Sequence, residues 1–317
     1  MAGRDLDEAV TVLIPARNAA HCLAFAVNDL RQGLAVNDEI LIVDDGSEDE
    51  TPVKIGELQS QDARIRSIRT TGIGLVGALN LGLVEATNDW IARADADDRY
   101  PHDRLPAQRV ARHSSLAAVV GDYHIASSSK NMGYIPCALT PPFVELSLIH
   151  PQRVPHPGIM FNRIAVFEAG SYQEAEFPVE DLGLWFRLAN VGDFIGVPRP
   201  VVTWKLSQMS TSHTRQKIQR ALTDQLVRDY KFPKWTQLTE QQVVNEIQSY
   251  KGFPEWNQRL LLLIRDMVSL SHRYGRSELL KPALKEASSQ PLPTASAAKN
   301  LIGQRIKRNR WRSQTEP

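Results

Sequence analysis

The stretch WIARADADD, residues 90–98, runs from an apolar opening straight into Asp95, Asp97 and Asp98, three carboxylates within four positions. Crowded carboxylates repel one another, so such a cluster needs full solvation or a cation to sit among it. Two other stretches share the design. PARN (15–18) follows the apolar run VTVLI, and DDGS (44–47) follows EILIV. Further short apolar runs end at Ile68 and Val120, with helical spacing over Leu23–Leu30, Val53–Leu58 and Val76–Val84 between them. Short strands alternating with helical segments predict an α/β architecture, a mostly parallel sheet flanked by helices. In such a sheet the C-terminal strand ends share one edge, where open α/β folds keep their ligand crevice. The three polar loops are therefore expected at one cleft.

Size and composition narrow the class. The 317 residues are 42% hydrophobic, enough for a large core and, at this length, for two domains. The formal net charge of +1 provides no global field that would select nucleic acid. Cys22 and Cys137 form neither a metal-ligand spacing nor a disulfide framework, which fits a reducing compartment. The opening MAGRDLDEAV lacks the apolar core of a signal peptide, and the longest apolar run, Leu260 to Ile264, is too short to span a bilayer. A cytoplasmic protein, at most peripheral at the inner face of a membrane, is the expectation.

If strand geometry persists through DAD, the side chains of Asp95 and Asp97 point the same way and Asp98 turns aside. Two hard oxygen donors with no soft ligand nearby suit Mg²⁺ or Mn²⁺, with a phosphate completing the shell. In DDGSEDET, Asp45 at a strand end can accept hydrogen bonds from a nucleobase or ribose, while SEDET reads as a helix start. GIGLVG (72–77) is a literal G-x-G-x-x-G and opens a rival reading as a nicotinamide-dependent enzyme. Against that rival, the fingerprint normally occupies the first strand–helix turn, and here a whole unit precedes it. Glu180 and Asp181 begin a helical stretch whose apolar face holds Leu184, Trp185 and Leu188. Acids there can cap the helix, and beside a cleft one of them can act as a general base. His156, held between Pro155 and Pro157, is a candidate ligand contact.

Taken in order, VTVLIPARNAA, EILIVDDGSEDET, GLVGALNLGLVEATNDWIARADADD and HPGIMFNRIAVFEAGSYQEAEFPVEDLGLWFRLA resemble the family 2 glycosyltransferases of the GT-A fold, from about Val10 to Arg215. The resemblance implies an inverting transferase that uses a nucleoside-diphosphate sugar, a UDP-sugar by default, and a divalent metal. It implies that Pro15, Ala16, Arg17 and Asp45 hold the nucleotide, and that Asp95 and Asp97 are the DxD pair with Asp97 on the metal. It makes Asp181 the catalytic base, leaving Glu180 to the helix cap or the acceptor. The chain departs from the pattern at Arg17, where many members carry an aromatic. Lys205 and Ser207 stand where an arginine and a histidine are common, with Lys205 or His213 as substitutes for the diphosphate contact.

The resemblance sets a transferase domain over residues 1–214. Residues 215–317 read as an all-α region with a basic tail, NLIGQRIKRNRWRS, whose arginines interleave with Trp311. Such a tail can dock on an anionic membrane carrying a lipid-linked acceptor, or simply be solvated. The competing functions are a nucleotidyltransferase and a non-catalytic nucleotide-sugar-binding protein on the same fold. The first usually needs a basic glycine-rich first loop, which PARNAA is not.

Overall fold

The computed structural model describes residues 9–113, 115–127, 130–150, 153–206, 216–253 and 255–289. Four parallel strands make one half of an eight-stranded sheet: β1 (Val10–Ala16), β2 (Glu39–Asp44), β3 (Ile65–Arg69) and β4 (Trp90–Arg93), in the order β3-β2-β1-β4. β1 and β2 are buried along their whole length, which is why both read as continuous apolar runs rather than alternating ones. The intervening helices α1 (Leu23–Arg31), α2 (Thr51–Gln61) and α3 (Gly74–Glu85) cover this half. Leu23, Val27, Ile55 and Leu58 join Val12, Ile14, Ile40 and Ile42 in the core. α3 packs closely on β1: a Cβ on Gly82 would lie 2.2 Å from Leu13 Cδ1, so any larger residue there would force the Leu13 side chain to move.

The other half of the sheet is mixed. α4 (Arg104–Ala111) leads to β5 (Leu116–Ser127), β6 (Lys130–Ile135) returns antiparallel to it, and β7 (Met160–Asn162) wedges antiparallel between β4 and β5. Then α6 (Arg163–Glu168) and α7 (Glu180–Val191) precede β8 (Asp193–Lys205), which runs parallel to β5. The expected mostly parallel sheet with flanking helices is the observed fold, with these antiparallel pairs added.

Contacts divide the chain into two compact units. The first takes in the chain up to Cys137 and again from Pro151 to Tyr230, and it contains the whole sheet. It also includes α8 (Gln216–Asp229): Gln219 Nε2 donates to the Pro178 carbonyl at 3.1 Å, and Phe186 stacks on Tyr230 at 4.5 Å. The second unit joins Ala138–His150, which holds α5 (Pro141–Ser147), to the chain from Lys231 onward. There α9 (Pro233–Gln237), α10 (Glu240–Tyr250), α11 (Trp256–Tyr274) and α12 (Leu280–Ser288) form the helical C-terminal region. Buried Glu246 ties its two sequence pieces together. Its carboxylate accepts from the amides of Leu139 and Thr140 at 2.9 and 3.2 Å, and from the hydroxyls of Thr140 and Tyr250 at 2.6 and 2.7 Å.

Candidate active site

β1, β2 and β4 are sheet neighbours, so the chain leaves all three at the same edge. Pro15 and Ala16 lie within β1, in register with Val43 and Asp44. Arg17 follows on the surface, and Asn18 takes a left-handed turn at φ 52°. The first two loops are stitched together: the Asn18 amide donates to Ser47 Oγ at 2.9 Å, and its side-chain oxygen accepts from the Glu48 amide at 2.8 Å. The Ala19 amide donates to Thr51 Oγ1 at 2.7 Å.

Asp45 is buried, and both of its oxygens are engaged. Oδ1 accepts from Thr70 Oγ1 at 2.6 Å and from the Ile73 amide at 2.7 Å, and Oδ2 accepts from the Gly74 amide at 2.9 Å. The Arg17 guanidinium lies 4.0 Å from Oδ2. This arrangement resolves the GIGLVG stretch. A dinucleotide site needs the amides at this helix start for a pyrophosphate, and here a protein carboxylate already holds them. Gly72 and Gly74 supply positive φ for the turn, at 92° and 82°.

Asp95, Asp97 and Asp98 each offer a carboxylate oxygen, and the three atoms lie within 4.8 Å of one another. Asp95 is half-buried, Asp97 is exposed and Asp98 is buried. Asp98 is not turned aside as expected. β4 ends at Arg93 and the chain turns at 96–97, so the two-residue alternation of a strand no longer applies. One Asp98 oxygen accepts from the Lys205 amide at 2.7 Å, and the other is buried with no hydrogen-bond partner among the described residues. Desolvation by the surrounding protein, and next the Asp95 charge, push the Asp97 carboxyl upward even though its side chain still reaches solvent, and the same causes push buried Asp98 well above the usual range. Three hard oxygens within 4.8 Å, on residues that include Asp98 with its unpartnered buried oxygen, fit a divalent cation.

Arg93 escaped the sequence reading. It closes β4 at 2% exposure, and its Nη1 lies 2.6 Å from Asp95 Oδ2. Its charge bears on both sets of acids, drawing Asp97, Asp98, Glu180 and Asp181 downward against the larger upward push of burial. The signal was present: a lone basic residue inside an apolar strand, two positions before an acid.

Glu180 and Asp181 open α7. Glu180 is buried, and its Oε2 has no partner among the described residues. Burial, and next the Asp181 charge, push the Glu180 carboxyl up to about 7. Asp181 is also raised by burial, while its Oδ1 accepts from the Leu182 amide at 2.8 Å. His156 is buried with Nε2 2.8 Å from the Tyr172 hydroxyl, and its ring meets Trp185 of α7 edge-on at 5.7 Å. Burial, then Arg93, hold its pKa well below the usual range, so the imidazole is neutral. Lys205 is exposed at the end of β8. Ser207, His213 and the basic tail lie outside the described residues.

Residues 11–132 match the family model for glycosyl transferase family 2. Among curated proteins, the chain is 23% identical over 223 residues to UDP-Glc:alpha-D-GlcNAc-diphosphoundecaprenol beta-1,3-glucosyltransferase WfgD of Escherichia coli, covering 67% of this chain and 82% of that one. An uncharacterized glycosyltransferase of Nostoc is 35% identical over 116 residues, 36% of this chain. The chain spans only 35% of that relative's length, and 33% of an uncharacterized Rickettsia conorii glycosyltransferase that is 25% identical. Among solved structures, S. aureus TarS in complex with UDP-GlcNAc superposes with a TM-score of 0.56 at 15% identity, over 89% of this chain and 91% of that one. Mannosyltransferase PcManGT from Pyrobaculum calidifontis, in complex with GDP-Man and Mn²⁺, gives a TM-score of 0.53 at 17% identity, over 94% and 86%. These two superpositions bear on the fold, which is GT-A-like.

Proposed function

We propose that this chain, whose residues 11–132 match the model for glycosyl transferase family 2, is a glycosyltransferase of that family that runs a metal-dependent inverting reaction, moving a sugar from a UDP-sugar to a glycan or lipid-linked acceptor. The observation that carries it is the convergence of Asp95, Asp97 and Asp98 within 4.8 Å beyond β4. Asp97, with Asp95, would hold a Mn²⁺ or Mg²⁺ ion. Such an ion supplies neutralising charge for the departing diphosphate. Pro15, Ala16, Arg17 and Asp45 form the nucleotide side, Asp45 by fixing the 72–74 turn as well as by direct contact. Lys205 is the cation of this chain suited to a diphosphate oxygen.

Asp181 takes the proton of the acceptor hydroxyl as that oxygen attacks the anomeric carbon from the face opposite the leaving group. The new carbon–oxygen bond forms as the bond to the diphosphate breaks, and the nucleoside diphosphate departs with the electron pair. The configuration inverts in this single displacement. Glu180 contacts acceptor hydroxyls, and His156, through Trp185, steadies α7 beside the sugar. A neutral imidazole suits that place because it adds no positive charge next to a base.

A UDP-sugar is the first choice of donor because the E. coli relative is named for UDP-Glc and TarS was crystallised with UDP-GlcNAc. The lipid-linked acceptor follows the diphosphoundecaprenol acceptor in the same relative's name. No helix among the described residues is long and apolar enough to cross a membrane. Contact with such an acceptor is proposed through the basic tail, whose arginines and lysine suit an anionic surface. Liposome flotation of the full chain against one ending at Ser296 tests that contact; equal binding to anionic vesicles removes it.

The reaction is tested with a panel of UDP- and GDP-sugars, following nucleoside-diphosphate release with Mn²⁺, with Mg²⁺ and with EDTA. Release from one UDP-sugar that stops in EDTA is expected. Release unaffected by EDTA removes the metal, and preference for a GDP-sugar removes the uridine assignment.

A further inference from the structure

Arg93 is an expensive residue to keep. A guanidinium at 2% exposure has lost almost all its hydration, and a buried ion pair rarely returns that cost as stability. Apolar residues fill the rest of β4: Trp90, Ile91 and Ala92 precede it, and all are buried. Its backbone is clamped from two sides. The Arg93 amide donates to the Ile159 carbonyl at 3.0 Å, and its carbonyl accepts from Arg104 Nη2 at 2.7 Å. Its side chain forms an ion pair with Asp95, Nη1 lying 2.6 Å from Oδ2.

Asp95 is gripped a second time through its main chain. Its amide donates to the Tyr100 hydroxyl at 2.6 Å, and that hydroxyl donates to the Asp95 carbonyl at 2.9 Å. Tyr100 is itself buried, with the Arg104 guanidinium over its ring at 5.0 Å. Tyr100 therefore fixes the backbone of Asp95, and Arg93 fixes its carboxylate. Asp97, two residues on, is exposed on the turn.

We propose that Arg93 is a positioning residue for Asp95: by occupying Oδ2 it holds the carboxylate so that Oδ1 stands with the oxygens of Asp97 and Asp98 to receive a divalent cation. The proposal rests on the metal reading above. Electrostatics alone makes the opposite prediction. A fixed positive charge next to a cation site should weaken cation binding, so deleting it should tighten binding. Holding a ligand in place works the other way, and outer-shell partners of metal ligands typically contribute about 10–100-fold in affinity. The sign of the change separates the two accounts.

The experiment is a Mn²⁺ titration of the full chain by calorimetry, without substrate, on wild type, Arg93→Met, Arg93→Lys, Asp95→Asn and the double variant Arg93→Met with Asp95→Asn. Arg93→Met is expected to weaken Mn²⁺ binding by about 10–100-fold. Arg93→Lys should recover part of the loss, because it keeps a donor near Oδ2 without the planar fork. In the Asp95→Asn background the Arg93→Met change should cost little more, since Arg93 acts through Asp95. Should Arg93→Met alone not fold, the double variant removes both charges together and the lysine variant keeps the cation, so the comparison stands on those two. Unchanged or tighter Mn²⁺ binding in Arg93→Met overturns the proposal, as do fully additive losses in the double variant. Wild type that binds no Mn²⁺ overturns the metal reading itself and the proposal with it.

Discussion

The carboxylate of Asp45, at the end of β2, accepts the Gly74 amide at 2.9 Å and so caps the helix that opens at Gly74. One residue thus joins two strand–helix units at the edge where the nucleotide is proposed to bind. Asp45→Ala would leave the Ile73 and Gly74 amides and the Thr70 hydroxyl without their acceptor. An unsatisfied polar group costs roughly 1–3 kcal/mol where it cannot reach water, so a lower melting temperature is expected together with weaker nucleotide binding. Asp45→Asn keeps one acceptor and should lose less of both. Denaturant unfolding beside UDP titration measures the pair. Full stability in Asp45→Ala would show that the cap contributes nothing.

For Asp97, exposure matters. It is the most solvent-accessible of the three clustered acids, so Asp97→Ala removes like-charge repulsion without opening a core cavity. The variant should fold as well as wild type or better, and lose metal-dependent UDP binding. Calorimetry with Mn²⁺ that finds UDP affinity unchanged would take Asp97 out of the ligand set.

Glu180 and Asp181 are adjacent, which puts them about 100° apart around the helix, so they cannot both address one hydroxyl. Asp181→Asn keeps the shape but cannot take a proton, and general-base loss costs on the order of 10²–10⁴ in rate. Turnover should fall by that much with donor affinity retained, while Glu180→Gln should hurt less. The reverse ranking would reassign the base to Glu180.

Glu180 also makes a prediction about stability and pH. Its carboxyl is raised from 4.5 to about 7 in the folded chain. Below the unfolded value both states hold the proton, and burial of the carboxyl carries no ionisation cost. As pH climbs from 4.5 toward 7 the unfolded chain releases a proton that the native state still binds, so stability falls across that window. Glu180→Gln removes the titration. In metal-free buffer the variant should melt with wild type at about pH 4 and some degrees above it at about pH 8, where each kcal/mol is worth roughly 2–4 °C. Equal melting temperatures at both ends would mean that the buried Glu180 carboxyl is not destabilised.

By itself the sequence determined the half of the protein whose signals are local. A strand such as β2 announces itself because every residue from Ile40 to Val43 is apolar and buried, and a polar loop begins where that apolar run stops. The acids of the 95–98 cluster and of the α7 start were legible for the same reason: carboxylates placed against apolar runs need an explanation. Tertiary structure decided what lies across the sheet or far along the chain. That the chain turns at 96–97 and brings Asp98 back to its neighbours depends on the end of β8, whose Lys205 amide meets it 107 positions later. That Arg93 belongs to the site depends on β7 arriving beside β4 and sealing it from water, a pairing between Ile91 and Phe161 that no local pattern encodes. The segment Ala138–His150 joins the C-terminal helices because Glu246, 107 residues beyond Leu139, needs donors for a buried carboxylate. Periodicity records which face of an element is covered; only the assembled fold determines by what.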